Sequence, residues 1–84
     1  MTFAVRFATR VEKELRDFPK DIQQRVFARL VRLAEDPFAP GTIKLQGEEA
    51  YRVRIGEYRV VFEIDTQLNT IVVLKVGHRS DIYR

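Results

Sequence analysis

The sequence contains no cysteine, so neither a disulfide framework nor thiol chemistry is available to it. The same absence fits a reducing compartment. With one histidine and no cysteine beside it, a structural zinc site has no ligand set. Long hydrophobic runs are missing too. The longest uncharged stretch is Thr66 to Leu74, too short to span a bilayer. At the N-terminus Arg6 interrupts the stretch where a signal peptide would carry its apolar core. The expectation is a cytoplasmic protein that does not enter a membrane and holds no metal or cofactor.

Apolar residues make up 45% of the 84, enough for one core and too many for a disordered chain. A single domain over residues 1–84 is expected, with no repeat, linker or low-complexity segment. Net charge is +3, which ordinary solubility explains unless the positive charges cluster.

The chain is organised around Tyr51 to Asp65. Two alternating runs flank Gly56-Glu57, a two-residue hairpin signal. Successive strand residues point to opposite faces. Tyr51, Val53, Ile55, Tyr58, Val60, Phe62 and Ile64 then form one apolar face. Arg52, Arg54 and Arg59 lie on the other, with Val61, Glu63 and Asp65.

In front of the hairpin, Phe3, Val5 and Phe7 alternate as a short strand. Thr9 and Glu12 make a capping-box pattern. Val11, Leu15 and Phe18 then form the stripe of a short helix. A second helix from Pro19 to Glu35 buries a stripe of Ile22, Val26, Leu30 and Leu33, widened by Phe27 and Ala34, and Asp36-Pro37 stops it. The short link predicts an antiparallel helical hairpin. Pro37 to Ala50, with two prolines and two glycines, reads as a loop anchored by Ile43 and Leu45. After a turn at Thr66–Asn69, Thr70 to Gly77 is the most β-branched run and forms the last strand. Strict alternation puts Val72, Leu74 and Val76 toward the helices. It puts Ile71, Val73, Lys75, Gly77 and Arg79 on the open face. The fold class is α+β: an N-terminal strand, a helical hairpin, then a three-stranded antiparallel meander, with the helices on one face and a basic open face.

On that open face Arg59 and Arg79 can converge, because the start of the middle strand adjoins the end of the next. Several guanidinium groups in one concavity suit phosphate, since each forks onto two oxygens. The alternative is a solvated sheet face, neutralised in part by Glu63 and Asp65.

The segments Lys44–Gly47, Tyr51–Ile64 and Val76–Arg84, which ends Val-Gly-His-Arg-Ser-Asp-Ile-Tyr-Arg, resemble the RelE branch of the RelE/ParE toxin superfamily. The helical hairpin and chain length resemble it as well. The resemblance implies a toxin of a type II toxin–antitoxin pair that cuts messenger RNA in the ribosomal A site without a metal, the ribose 2′-hydroxyl attacking its own phosphorus. It also implies a cognate antitoxin, which forms with the toxin a complex that represses its own operon. Operator DNA would be met only through that complex.

Carried over by position, the resemblance makes Arg59 the grip on the scissile phosphate. Arg79 stabilises the phosphate or protonates the leaving group, and Tyr83 orients or stacks on a base. Arg52 and Arg54 stand where relatives carry lysines. They can bind RNA backbone, but arginine holds its proton too tightly to serve as a base. Lys44 and Lys75 are further candidates for RNA contact. His78, beside Arg79, is a candidate catalytic acid or base, since imidazole is the side chain that ordinarily titrates near neutrality. By strict alternation it faces the helices instead. Val61, Ile71 and Val73, among the basic residues, suit an acidic, amphipathic antitoxin segment. Two other functions stay open: a ParE-like poison of DNA gyrase, and a non-catalytic binding module of the same fold.

Overall fold

The computed structural model describes residues 2–47 and 49–81. Its elements run β1 (Ala4–Phe7), α1 (Thr9–Arg16), α2 (Lys20–Glu35), β2 (Ile43–Lys44), β3 (Tyr51–Ile55), β4 (Tyr58–Asp65) and β5 (Thr70–His78). This is the α+β order expected, with one strand more. The sheet has five strands in the order β1-β5-β4-β3-β2. β3, β4 and β5 form the antiparallel meander, and β1 closes one edge parallel to β5. The loop expected from Pro37 to Ala50 contains the added strand: Ile43 and Lys44 pair antiparallel with Arg52 and Tyr51.

The helices form for the reasons their patterns give, with different ends. α1 buries Val11 and Leu15, and Glu12 and Arg16 suit the two poles of its dipole. Its cap is Ala8, and no side chain caps it, so the capping box written in Thr9 and Glu12 is not used. Pro19 sits before α2 in extended conformation, with ψ 146°, as a residue that cannot donate into the helix. Gln23 reaches back from α2, its Nε2 donating to the Phe18 carbonyl at 2.9 Å and the Arg16 carbonyl at 3.2 Å. That contact satisfies carbonyls left open where α1 ends and ties the two helices together. Asp36, before Pro37, leaves the helical region and ends α2.

Both helices pack on one sheet face, Ala34 widening the buried stripe of α2 as expected while Phe27, expected there too, is half exposed at its edge. Val11 and Leu15 of α1 and Ile22, Val26, Leu30 and Leu33 of α2 share one core with Val53, Ile55, Val60, Phe62, Ile71, Val73 and Val76. Tyr51 and Tyr58 are half-buried at its margins. Tyr51 stacks on Phe62 and Tyr58 packs against Phe18, with centroids 6.1 Å and 5.2 Å apart.

The last strand departs from strict alternation. Val61 pairs with Lys75 and Phe62 with Val73, so Leu74 is an extra residue in β5. This is a β-bulge, and it inverts the faces of the strand on one side of itself. Ile71 and Val73, expected on the open face, are fully buried at 0% exposure in the helix-side core. Leu74, expected under the helices, instead joins Ala50, Val61 and Leu45 in a second, smaller apolar cluster. Leu45 thereby anchors its loop as expected, whereas Ile43 is exposed. Beyond the bulge the expected phase returns, with Val76 buried and Lys75 exposed.

Candidate active site

The β3–β4 turn sets the geometry of the open face. Gly56 takes φ +58°, a left-handed value that an L side chain rarely adopts. From this turn the ladder runs Ile55 to Tyr58, Arg54 to Arg59, Val53 to Val60 and Arg52 to Val61. Directly opposed strand residues share a face, so Arg54 and Arg59 lie side by side. On its other flank Arg59 is opposed by Gly77, which presents backbone alone. Arg79 follows two residues later. Its N–H donates to the Glu57 carbonyl at 2.8 Å, and its Nε lies 2.7 Å from Glu57 Oε2. The register therefore sets Arg59 and Arg79 on one face, diagonal across the β4–β5 ladder. Lys75, opposite Val61, completes the basic set, and Arg52 occupies the other side of the same Val61.

Apart from Glu57, which pairs with Arg79 at the turn, the acidic residues of β4 stand away from the turn end of this face. Glu63 and Asp65 pair with Val72 and Thr70 at the far end of β4. At about 3.4 Å per residue they lie ~14 and ~20 Å along the strand from Arg59, beyond a Debye length of about 8 Å near physiological salt. Glu63 is nearer to Arg52 and Lys75, which flank Val61 two residues away. Asp65 is otherwise engaged, with Oδ1 accepting from the N–H groups of Gln67 and Leu68 at 3.0 Å each. Among the described residues, ion pairs join Arg10 to Glu14 and Arg79 to Glu57, and none reaches Arg52, Arg54, Arg59 or Lys75.

Arg59 carries the clearest chemical signature. Its Nε and Nη1 are buried and have no hydrogen-bond partner among the described residues. Buried donors are ordinarily satisfied, and leaving them unmade is expensive. Arg54 cannot help, being a cation whose Nε donates to the Gly56 carbonyl at 3.2 Å. Nε and Nη1 lie on different edges of the guanidinium and are closed to solvent, so they do not together form a fork for a phosphate, and an anion would meet Arg59 at the rest of its edge. What the register gathers is Arg54, Arg59 and Arg79 on one sheet face, an arrangement in which an anion meets concentrated positive charge.

The remaining candidates fall elsewhere. His78 pairs with Tyr58 and packs edge-on to its ring, centroids 5.6 Å apart. It thus points to the helix side, away from the arginines. Its Nδ1 accepts from the Ser80 N–H at 3.2 Å and meets the Ser80 hydroxyl at 2.8 Å. The catalytic placement drawn from its position beside Arg79 is corrected by alternation, which separates neighbours onto opposite faces. Lys44 is exposed and pairs with Tyr51, so its register sets it with the helix side and not with Arg52. Tyr83 lies outside the described residues. In the sequence Glu57 marks only a turn, and its contact with Arg79 emerges from the fold. The signal available was its place two residues before Arg59, on the same face and at the end of the ladder.

The chain is thus a small α+β protein with helices on one sheet face and a cluster of arginines on the other, and comparison with known proteins shows its family. Residues 5–83 match the family model for the ParE toxin of type II toxin–antitoxin systems. The chain is 32% identical to toxin RelG of Mycobacterium tuberculosis, covering 100% of this chain and 99% of that one. The toxin–antitoxin complex RelBE2 of M. tuberculosis superposes with a TM-score of 0.84 at 30% identity, over 96% of this chain and 95% of that one. The archaeal RelE–RelB complex of Pyrococcus horikoshii gives 0.84 and 30%, over 96% and 99%. The chain belongs to the RelE/ParE superfamily of type II toxins, and it is similar to RelE proteins in structure.

Proposed function

We propose that this toxin is a ribosome-dependent endoribonuclease that cuts messenger RNA in the A site. The observation that carries the reading is the clustering of arginines by register, with Arg59 directly opposite Arg54 on one side and beside Gly77, two residues from Arg79, on the other. In the reaction the 2′-oxygen bonds to phosphorus as the bond to the 5′-oxygen breaks. The products are a 2′,3′-cyclic phosphate and a free 5′-hydroxyl. The 2′ proton leaves to solvent or a base, and the 5′-oxygen gains one. Arg59 forks onto the non-bridging oxygens, whose charge rises in the transition state. Arg79 stands at the leaving-group end. Arg52, Arg54 and Lys75 hold the adjoining backbone, which aligns the attacking hydroxyl. Tyr83 is assigned to the base. The route asks for no metal, and its rate comes from positioning and electrostatics rather than from a strong side-chain base.

The same reading assigns a cognate antitoxin, since the similar RelE proteins above were solved as complexes with RelB. Its acidic, amphipathic segment is expected to cover the arginine face. Half-buried Leu74 there supplies an apolar contact, in place of Ile71 and Val73, which are buried in the helix-side core, and of Val61, which is 7% exposed.

The test is cleavage on programmed ribosomes with mapped 3′ ends. Cuts within the A-site codon, absent without ribosomes and lost in Arg59→Ala, are expected. The matching family model is that of ParE, so gyrase-linked DNA breaks with intact messenger would move the chain to that branch. Neither outcome would leave a binding module.

A further inference from the structure

Glu57 sits in the two-residue turn between β3 and β4, its side chain more than half exposed. An ordinary exposed ion pair contributes about 0–1 kcal/mol, so stability gives little reason for one here. The geometry is nevertheless specific. The Glu57 carbonyl accepts from the Arg79 N–H at 2.8 Å, and its carboxylate lies 2.7 Å from Arg79 Nε. One residue holds both the backbone and the side chain of the other. The β4–β5 ladder thereby continues one step past its last pair, Tyr58 and His78. The closest approach is at Nε, the base of the fork. A guanidinium has five N–H donors, so this contact leaves others for an anion.

The turn that carries Glu57 is itself fixed from two sides. Arg54 Nε donates to the Gly56 carbonyl. The Arg25 guanidinium of α2 lies over Gly56, 3.2 Å from where a Cβ would stand. Gly56-Glu57 therefore works as a bracket. It engages Arg54 through a carbonyl and Arg79 through a carboxylate, with Arg59 between them.

We infer that Glu57 is a positioning residue for Arg79, holding its guanidinium at the turn end of the arginine face before RNA arrives. The inference rests on the endoribonuclease reading of that face. It assigns Glu57 a role through Arg79 rather than on the substrate. The competing role, a general base taking the 2′ proton, predicts a different response to an amide. Glutamine still accepts a hydrogen bond from Nε but cannot take a proton.

Two measurements on the full chain decide it. In Glu57→Ala, kcat on programmed ribosomes should fall about 10- to 100-fold, the scale of a misplaced reacting group. KM for the ribosome should stay within about 3-fold, because the lost interaction is expressed in the transition state. Glu57→Gln should keep kcat within about 5-fold of the parent. The second measurement is the Arg79 Nε–Hε resonance by NMR. It should persist at neutral pH in the parent and in Glu57→Gln, and exchange away in Glu57→Ala. Unchanged kcat in Glu57→Ala, equal damage in Glu57→Gln, or an Nε–Hε signal indifferent to Glu57 would each overturn the assignment. A parent chain that cleaves nothing would overturn the endoribonuclease reading instead. The NMR signal would then still decide whether Glu57 holds Arg79.

Discussion

Arg54 and Arg59 face each other directly across the β3–β4 ladder, two like charges in the arrangement that sheets avoid. Such a pair is destabilising by about 0.2–1 kcal/mol. Arg59 adds two buried donors without partners. A fold that keeps both features spends stability where an anion restores it, as active sites commonly do.

Removing the repulsion should accordingly raise stability and lower activity. Arg54→Gln is expected to gain about 0.2–1 kcal/mol in urea unfolding at low salt. The gain should shrink as salt screens the pair. Arg59→Leu should be at least as stable as the parent, yet lose about 100- to 1,000-fold in kcat, the scale for removing a donor aimed at developing charge. A destabilised Arg59→Leu would mean that the guanidinium has a structural partner in the free protein.

The bulge makes a second prediction, opposite to that of strict alternation. Ile71→Ala should cost about 2–5 kcal/mol, as for other large-to-small changes in a core. Leu74→Ala should cost much less, since Leu74 is half-buried in the small open-face cluster. The comparison by chemical denaturation is direct. Equal costs, or a larger cost at Leu74, would mean that β5 runs without the extra residue.

The same bulge marks where the sequence stopped being legible. The hairpin could be read because Tyr51 to Ile64 alternates apolar with basic over most of its length, so one register alone buries a clean face. From Ile71 to Leu74 four apolar residues stand in a row, and either alternation buries a good set. Only the tertiary pairing of Val73 with Phe62 decides it. β2 was illegible for a related reason: two residues carry no period, and they are a strand only because β3 offers an edge. In the site, Arg59 and Lys75 followed from alternation and Arg79 from the continued strand. His78 followed once its own alternation was respected rather than its nearness to Arg79. Glu57 stayed hidden because a turn residue has no period from which to infer its direction.

The turn itself gives a third prediction. Gly56 has φ +58° and the Arg25 guanidinium close above it. Gly56→Ala should cost about 1–2 kcal/mol, mostly for the left-handed backbone, because the end of a flexible arginine can move aside. Arg25→Ala combined with Gly56→Ala should recover little of that loss. Large recovery in the double variant would show that the crowding, not the backbone, sets the penalty.

The clustering of cations predicts how RNA affinity responds to salt. Five cations share the open face at the turn end or beside it: Arg52, Arg54, Arg59, Lys75 and Arg79. If each neutralises a phosphate of a single strand, log affinity should fall with log salt with a slope of about −3.5, from about −0.7 per contact. The measurement uses an RNA oligonucleotide with a 2′-deoxy sugar at the scissile position, so that binding is read without cleavage. Lys75→Gln should reduce the slope by about 0.7 with little effect on unfolding, since Lys75 is exposed and has no ion pair among the described residues. Arg25→Gln, on α2 and outside the face, should leave the slope unchanged. Glu63→Gln should change it little, because it removes no cation and so no phosphate contact. A slope that moved equally with Arg25 and Lys75 would mean that RNA reads the net charge of the whole chain. The arginine face would then be one part of a diffuse basic surface and not a built site.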